Sequence, residues 1–261
     1  SLSGAIIGGL LLGVGMILTR GCPSRMLVLS ANGNLRALLA GTFFVVTAQA
    51  AIGGVLVPVR DWLSALWPVA PEMRNLLSVL GWGHGGGVFV GVCWLAAGLY
   101  VARRSALTGI EWIGSFGVGL TVCATWWLTY QVSTQAFDIV VTVQAISFTN
   151  PSSEVLMWLL TPGAGSWSFG LGLVVGVVLG SLVASLWAKE FHLEGFGPQH
   201  HLPRYLIGAV AMGLGGVLAG GCAVGAGVSG ASVFGLTAWV ALFCMWISAA
   251  VAHRLIDQRA H

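Results

Sequence analysis

The sequence predicts an all-α polytopic membrane protein, and two observations support that prediction. Of the 261 residues, 57% are hydrophobic and only 7% are charged, with a mean hydropathy of +0.91. An average soluble domain carries about 25% charged residues, so this chain lacks the polar groups to cover a water-exposed surface. Its apolar residues also form long runs separated by short polar segments, as in membrane-spanning helices. A soluble enzyme, a disordered chain and a coiled coil are therefore excluded.

Seven segments are predicted to span the bilayer, whose apolar core of about 30 Å needs roughly 20 helical residues. They are Ser3–Leu18, Leu35–Val57, Leu76–Ala102, Thr108–Tyr130, Ser168–Ala188, Arg204–Ala219 and Gly235–His253. The stretch Ser147–Leu160 is too short to span and predicts an interfacial or re-entrant helix. Ser152 or Ser153 is expected to cap it, with Glu154 in its first turn. Residues 1–261 are expected to form a single membrane domain.

The loop charges predict how the chain is oriented, because Lys and Arg accumulate on the cytoplasmic side of a membrane. Arg60 and Arg74 are assigned to the outside, and the C-terminus to the cytoplasm. The cytoplasmic cations are Arg103, Arg104, Lys189, Arg204, Arg254 and Arg259. The net charge of +3 is spread thinly along the chain and forms no basic run, so a nucleic-acid partner is excluded. No cleavable signal peptide is expected, because no basic region precedes the first apolar run.

Two glycine-rich segments align without a gap, which predicts an internal repeat. AIIGGLLLGVGMILTRGC ends at Cys22, and YLIGAVAMGLGGVLAGGC ends at Cys222. Each unit comprises a helix, a Gly-Cys break, a short helical piece and a returning helix, over residues 3–57 and 204–253. Three predicted spans within residues 76–188 connect the units. Because three is odd, the second unit is expected to enter the membrane from the opposite face. This is the inverted repeat of many secondary transporters, and it predicts that the thiols of the two breaks pass the substrate near the membrane midplane.

The two breaks, RGCPSR and GGCAVGAG, are the predicted functional features. Irregular backbone at membrane depth is tolerated where protein or a watery cavity satisfies it, and the half-helices that follow direct N–H groups toward a small anion. A thiol is a weak, polarizable donor that suits sulfur species. No catalytic residue and no metal site is predicted. The candidate substrate pathway comprises Cys22, Cys222, Gly21, Gly221, Ser24, Arg20, Arg25, Gly225 and Gly227.

Simpler interpretations of these residue types also exist. Cysteines inside apolar helices are usually small core residues, as expected for Cys93, Cys123 and Cys244. Membrane-helix glycines mostly permit close packing, as expected for Gly13, Gly15, Gly213 and Gly215. Arg20, Arg25 and Arg36 either attract an anion or mark the membrane interface. A haem or pigment bound by His84 and His253 is a further alternative.

The motifs resemble those of the YeeE/YedE membrane proteins. The first signature corresponds to RGCPSRMLVLSANGNLRALLAG (Arg20–Gly41), and the second to GGVLAGGCAVGAGVSGASVFGLTAWVAL (Gly215–Leu242). QAISFTNP (Gln144–Pro151) fits as well, so the resemblance runs from about Ile6 to Val251. It implies a bacterial inner-membrane transporter of sulfur compounds, with thiosulfate uptake as the best-understood activity. A small sulfurtransferase-like partner is also implied.

The resemblance further implies a mechanism, in which cysteine S–H groups pass the anion along by hydrogen bonds without a covalent intermediate. Cys22 and Cys222 match the two motif positions, and Cys93 is the nearest candidate for a third thiol. No cofactor is expected. The alternative function is that of an accessory or structural subunit of a larger membrane complex, without transport of its own.

Overall fold

The computed structural model describes residues 1–69, 76–79, 81, 84–105, 108–135, 146–161, 167–195 and 202–257. Regular structure in these ranges is helical, apart from an isolated bridge between Asn34 and Glu194. The α-helices are α1 (Leu2–Thr19), α2 (Pro23–Ala31), α3 (Leu35–Gly53), α4 (Val57–Ala65), α5 (Leu76–Val79), α6 (His84–Arg104), α7 (Gly109–Gln135), α8 (Thr149–Leu160), α9 (Phe169–Trp187), α10 (Leu202–Leu218) and α11 (Leu236–Ala252). Two π-helices cover Gly225–Gly230 and His253–Asp257.

Five helical segments in the described part of the chain are long and apolar enough to cross a membrane, which supports the all-α membrane class. They are Leu2–Ala31, Leu35–Gly53, Gly85–Arg104, Phe169–Trp187 and Leu236–Ile256. The helix α10 is a shorter apolar helix of 17 residues, and α7 has 27 residues. The count of seven spans stays a prediction. Residues 136–145, on which a further crossing would depend, lie outside the described residues, as do Arg74 and Arg259.

The structure corrects three predicted boundaries. The second span ends at Gly53 rather than Val57, and Val57 begins the short helix α4 in a stretch predicted to be a connection. The segment Leu76–Ala102 contains the four-residue α5 and the separate α6. Gly81 lies between them with a φ of 65°, a left-handed conformation that does not continue a right-handed helix.

The predicted cap of the short helix is also wrong. The helix α8 begins at Thr149, with Phe148 at the N-cap position and no side-chain cap. The Ser153 hydroxyl donates to the Thr149 carbonyl at 3.3 Å, and Glu154 accepts a 2.7 Å hydrogen bond from Ser168 of the next helix instead of lying in the first turn. Twelve residues make a helix of about 18 Å, which agrees with a segment too short to span.

The helices α1 and α10 pack antiparallel through facing glycines. A Cβ added at Gly8 would lie 2.6 Å from the Gly215 carbonyl oxygen, and one at Gly15 would lie 2.7 Å from that of Gly208. The reverse contacts are equally close, at 2.8 Å from Gly215 to Gly8 and 3.0 Å from Gly208 to Gly15. Residues 8 and 15 thus meet residues 215 and 208, so each helix presents the same surface to the other, as a local twofold axis requires.

The flanking helices repeat this exchange. On α1, Gly13 packs against the Met245 backbone and Ser248 of α11; on α10, Gly213 packs against Phe44 and Thr47 of α3. Met245 and Ser248 lie 201 residues after Phe44 and Thr47, respectively. The core is therefore a row of four helices in the order α3, α10, α1, α11, in which each α1-type helix contacts the returning helix of the other unit.

The two ends of this row differ in charge. At one end α1 ends while α3 and α10 begin; it carries Arg20, Arg36 and Arg204, and we call it the arginine end. The Ser181 hydroxyl of α9 donates to Asn32 Oδ1 at 3.0 Å, which brings the last turn of α9 to the same end. At the other end, the Ser1 end, the Ser3 hydroxyl donates to the Leu63 carbonyl of α4 at 2.7 Å.

Candidate functional site

The two Gly-Cys breaks have the same backbone geometry. Arg20 and Gly220 both adopt the left-handed conformation, with φ of 56° and 81°, and the following glycine N–H reaches back to the carbonyl five residues earlier. This is the arrangement of a helix C-cap that ends in a left-handed residue. The matched hydrogen bonds are Gly21 N to Met16 O at 3.1 Å and Gly221 N to Gly216 O at 2.8 Å, then Met26 N to Cys22 O at 3.0 Å and Ala226 N to Cys222 O at 2.8 Å.

Between Cys222 and α11 the chain has one residue more than between Cys22 and α3, and the π-helix Gly225–Gly230 accommodates it. Each hydrogen bond just before the π-helix has an equivalent 200 residues earlier in the chain. Each one just after it has an equivalent 201 residues earlier. The later pairs are Asn34 N to Leu29 O and Gly235 N to Gly230 O, both 3.0 Å long. A π-helix has one extra residue per hydrogen-bonded turn and is often found at functional sites. In the first unit, the same place is taken by the regular helix α2.

Cys22 lies at the N-cap position of α2 and is half-buried. Its Sγ atom is 3.1 Å from the Ser24 Oγ atom, so the two predicted pathway residues interact directly. Pro23 occupies the first helical position, where its missing N–H has no intrahelical partner to lose. The break therefore presents a thiol and a hydroxyl side by side at the start of a half-helix.

Cys222 is 1% exposed and its sulfur is held by backbone donors. Phe148 N–H donates to Sγ at 3.3 Å and Gly225 N–H donates at 3.4 Å. Ser147 Oγ is 3.9 Å from the same sulfur. A thiol offers one S–H donor and weak acceptor capacity, and here two N–H groups use the acceptor side. The S–H group remains available to donate, and the nearest hydroxyl belongs to Ser147.

A cavity of about 470 Å³ lies next to Cys222. Ser147 and Gly225, the partners of the thiol, line it together with Trp126, Gly220, Ser229, Gly230 and Val233. Cys222 itself is covered by these partners. The Trp126 indole N–H has no hydrogen-bond partner in the described structure. Among the described lining residues, none is charged; Ser147 and Trp126 offer neutral donors, while the Ser229 hydroxyl donates to the Ile146 carbonyl at 2.8 Å.

The remaining predicted residues lie elsewhere. Cys93 and Cys123 are exposed on α6 and α7, whereas Gly227 faces Leu242 of α11. His84 begins α6 and His253 begins the second π-helix. No group of three or more His, Cys, Asp or Glu side chains suitable for a metal ion occurs in the described ranges.

A second cavity lies at the arginine end. We call it the arginine cavity; it has a volume of about 190 Å³ and is lined by Thr19, Arg20, Gly21, Arg25, Met26, Leu29, Asn34, Arg36, Ala37, Ala40 and Tyr205. It brings together the predicted residues Arg20, Gly21 and Arg25. The Arg36 guanidinium stacks 4.9 Å above the centre of the Tyr205 ring.

A polar strap, His192–Glu194, contacts Asn34 at the edge of the arginine cavity. Asn34 caps α3 by accepting from Ala37 N–H at 2.9 Å, and its amide donates to Glu194 at 2.5 Å. The other oxygen of Glu194 is 2.8 Å from His192 Nε2. The pKa of His192 is raised, mainly by its hydrogen bond with the Glu190 carbonyl and next by its hydrogen bond with Glu194. The hydrogen bond from His192 in turn holds the pKa of Glu194 below its usual value.

Sequence inspection did not find Ser147, Phe148 or Trp126 as partners of the second break. Ser147 and Phe148 are more than 70 residues away from Cys222 in the chain, and no local pattern links them. The QAISFTNP motif contains both residues and was the available signal. Asn34 and Tyr205 at the arginine cavity were missed for the same reason, since neither belongs to a break.

The family model for sulphur transport matches residues 1–251 of the chain. The chain belongs to the sulphur transport family. This confirms the resemblance to YeeE/YedE proteins and makes the chain a transport protein rather than an enzyme.

Two relatives carry the name thiosulfate transporter TsuA. The Spirochaeta thermophila protein is 28% identical over 256 residues, which cover 92% of this chain and 74% of that protein. The Escherichia coli K12 protein is 29% identical over 114 residues, which cover 44% of this chain and 32% of that protein. The chain thus spans most of one relative and about a third of the other.

Proposed function

We propose that this protein transports thiosulfate, or a similar small sulfur-containing anion, past the thiols of Cys22 and Cys222. The observation that carries the proposal is the duplicated Gly-Cys break, which puts one thiol at the start of each half-helix. Membership of the sulphur transport family and the names of the two relatives support the same class of substrate.

The hydrogen bonding of Cys222 supports a donor role for its thiol. With Phe148 and Gly225 donating to the sulfur, the S–H group is free to donate to a passing anion. The terminal sulfur of thiosulfate is large and polarizable, and a thiol matches it better than a hydroxyl does. Because Cys222 is covered by Ser147 and Gly225, the anion pathway would be closed at the second break in this conformation. The loop before α8 or the π-helix must then move for the anion to pass.

The antiparallel contact of α1 with α10 supports an inverted repeat of units 3–57 and 204–253. Equivalent glycines meet across it, so the pathway would run along a pseudo-twofold interface with one break on each side, as in other secondary transporters. Gly21 and Gly221 would permit the backbone of the breaks, while Ser24 and Gly225 would lie beside the thiols.

The charges support a bacterial inner-membrane protein with the arginine end in the cytoplasm. Arg20, Arg36 and Arg204 lie at that end, whereas Arg60 at the other end is neutralised by Asp61 at 2.7 Å. Excess Lys and Arg mark the cytoplasmic side. Because α11 runs parallel to α1, the C-terminus would also be cytoplasmic.

Uptake of radiolabelled thiosulfate into proteoliposomes that contain only this protein tests the proposal. We expect Cys222→Ala and Cys22→Ala to lower the initial rate by about tenfold or more, which corresponds to about 1.4 kcal/mol of lost stabilisation. Cys222→Ser, which keeps a donor, should retain part of the rate. Cys93→Ala and Cys123→Ala are the matched controls, because these cysteines are exposed on α6 and α7.

Two results would overturn the proposal. Unchanged uptake by both alanine variants would eliminate the thiol pathway, and absence of thiosulfate uptake by the wild-type protein alone would favour the accessory-subunit function. A thiol-reactive methanethiosulfonate reagent provides a second measurement: labelling of Cys222 should accelerate when thiosulfate is present, because transport must uncover this buried sulfur.

A further inference from the structure

The arginine cavity has a counterpart at the Ser1 end, and the two cavities differ in the charge of their lining residues. The counterpart is a cavity of about 540 Å³ beside the second break. Eight of the eleven residues that line the arginine cavity have their equivalents in the lining of the counterpart. Where the first has Arg20, Arg25 and Arg36, the second has Gly220, Gly225 and Thr237. None of the described residues that line the counterpart cavity has a charged side chain.

The three guanidinium groups have no carboxylate partner within ion-pair distance among the described residues. The two ion pairs in that part of the chain join Arg60 to Asp61 and His192 to Glu194. Glu194 is the nearest acid recorded to act on Arg36, but its two oxygens are taken by Asn34 and His192. Arg20 and Arg25 are exposed and Arg36 is half-buried, and none of the three guanidinium groups donates a hydrogen bond to another described residue. Arg36 stacks on the Tyr205 ring.

The backbone of Arg20 supplies a second, independent observation. Its φ of 56° lies in the left-handed region, where a residue other than glycine is strained by of order 1 kcal/mol. The equivalent residue, Gly220, has the same backbone without that strain. Glycine therefore suffices for the break, and the arginine at position 20 serves something other than the fold. Its side chain lines the cavity, where it adds a third guanidinium.

We infer that the arginine cavity is a binding site for a small tetrahedral dianion, held by Arg20, Arg25 and Arg36. Guanidinium groups bind oxyanions through paired N–H donors, and three of them favour a dianion over a monoanion. A volume of about 190 Å³ corresponds to roughly six waters at about 30 Å³ each, which is enough for one sulfur oxyanion with part of its hydration shell. The inference rests on the proposed function in assigning thiosulfate as the natural occupant.

The site gives the two halves of the pathway different tasks. An anion that has passed the neutral donors near Cys222 and the thiol of Cys22 would be held at the arginine end before release. Sulfate shares the tetrahedral shape and the double charge of thiosulfate but lacks the terminal sulfur that the thiols would select. In proteoliposomes whose lumen faces the arginine end, sulfate trapped in the lumen should therefore occupy the arginine cavity. It should then slow the net uptake of thiosulfate from outside.

Calorimetric titration of the purified full-length protein with sodium sulfate, sodium thiosulfate and sodium phosphate tests the site directly. We expect sulfate and thiosulfate to bind and Arg36→Gln to weaken both by about tenfold or more. Arg20→Gly should weaken binding similarly while keeping or raising thermal stability, because Gly220 already adopts that backbone. Arg104→Gln is the matched control, since its guanidinium stacks on Tyr100 of α6 outside the cavity.

The outcomes separate this inference from the proposed function. Cys222→Ala should lower uptake by about tenfold or more yet leave sulfate binding unchanged. Equal sulfate affinity in the wild type, Arg20→Gly and Arg36→Gln would overturn the site, and so would an equal loss in Arg104→Gln, which would indicate nonspecific attraction. Binding of phosphate alone would reassign the site to a phosphate regulator and refute the substrate-holding role.

Discussion

Replacing Gly15 by alanine tests whether the α1–α10 contact holds the two halves together. An added Cβ would lie 2.7 Å from the Gly208 carbonyl oxygen, whereas ordinary contact begins near 3.4 Å, so the helices must separate by about 0.7 Å. Overpacking of this kind costs about 1–3 kcal/mol, offset by up to about 1 kcal/mol of helix propensity. Since the obstructing atom belongs to the backbone and cannot rotate away, we expect a net loss of about 1–2 kcal/mol.

The measurement is thermal unfolding in detergent, followed by the fluorescence of the 12 tryptophans. A loss of 1 kcal/mol lowers Tm by about 2–4 °C in domains of 150–250 residues, so Gly15→Ala should lower it by several degrees. Gly215→Ala should do the same, because its Cβ would meet the Gly8 carbonyl oxygen at 2.8 Å. Gly41→Ala is the control, since nothing lies within 4 Å of its added Cβ. Equal Tm values for Gly15→Ala and Gly41→Ala would refute the role of this contact.

Two further predictions concern the second break and the strap. Gly225→Ala would put a Cβ 2.8 Å from the Ser147 hydroxyl, and we expect thiosulfate uptake to fall at least several-fold. Gly227→Ala, whose added Cβ has ordinary contacts, should keep the wild-type rate. Equal rates in the two variants would contradict a role of the Gly225–Ser147 contact in transport. The strap should be most protected from hydrogen exchange between about pH 4.3 and 6.5. The stability that Glu194 contributes is lost as the pH falls through its lowered pKa, and the stability that His192 contributes is lost as the pH rises through its raised pKa. Protection that does not change between about pH 5.5 and 8.5 would exclude the His192 contribution.

Much of the helical framework was readable from hydropathy, because membrane helices satisfy their own backbone and leave only length and apolarity to be met. The Gly-Cys breaks were readable as well, since Gly21, Pro23 and Gly221 are residues that interrupt helices. The boundary errors fall where this logic weakens. The second span is predicted to end at Val57, but Val57 and Pro58 begin α4, and proline is favoured in the first turn of a helix.

The chemistry around the sulfur was less predictable. Phe148 donates to Cys222 through its backbone N–H, a group that every residue except proline carries, so side-chain identity could not reveal it. The extra residue in the second unit was hidden as well, because the gap-free alignment ends at Cys222 and the π-helix that takes up the insertion lies beyond it. Arg36 was visible as an arginine near a span end, but its proximity to Arg20 and Tyr205 depends on how three helices pack.

The exchange of partners between the two units has a consequence for how the protein is made. Thr19 contacts Met212, which lies 193 positions later in the chain. At about 5–20 residues per second, α1 therefore leaves the ribosome about 10–40 s before its partner exists. During that time the glycine faces of α1 must be covered by lipid or by the insertion machinery. Because α1 packs on α10 and α11, and α3 packs on α10, neither unit has a complete core alone. Two co-expressed fragments divided between the units should therefore assemble, whereas either fragment by itself should be degraded.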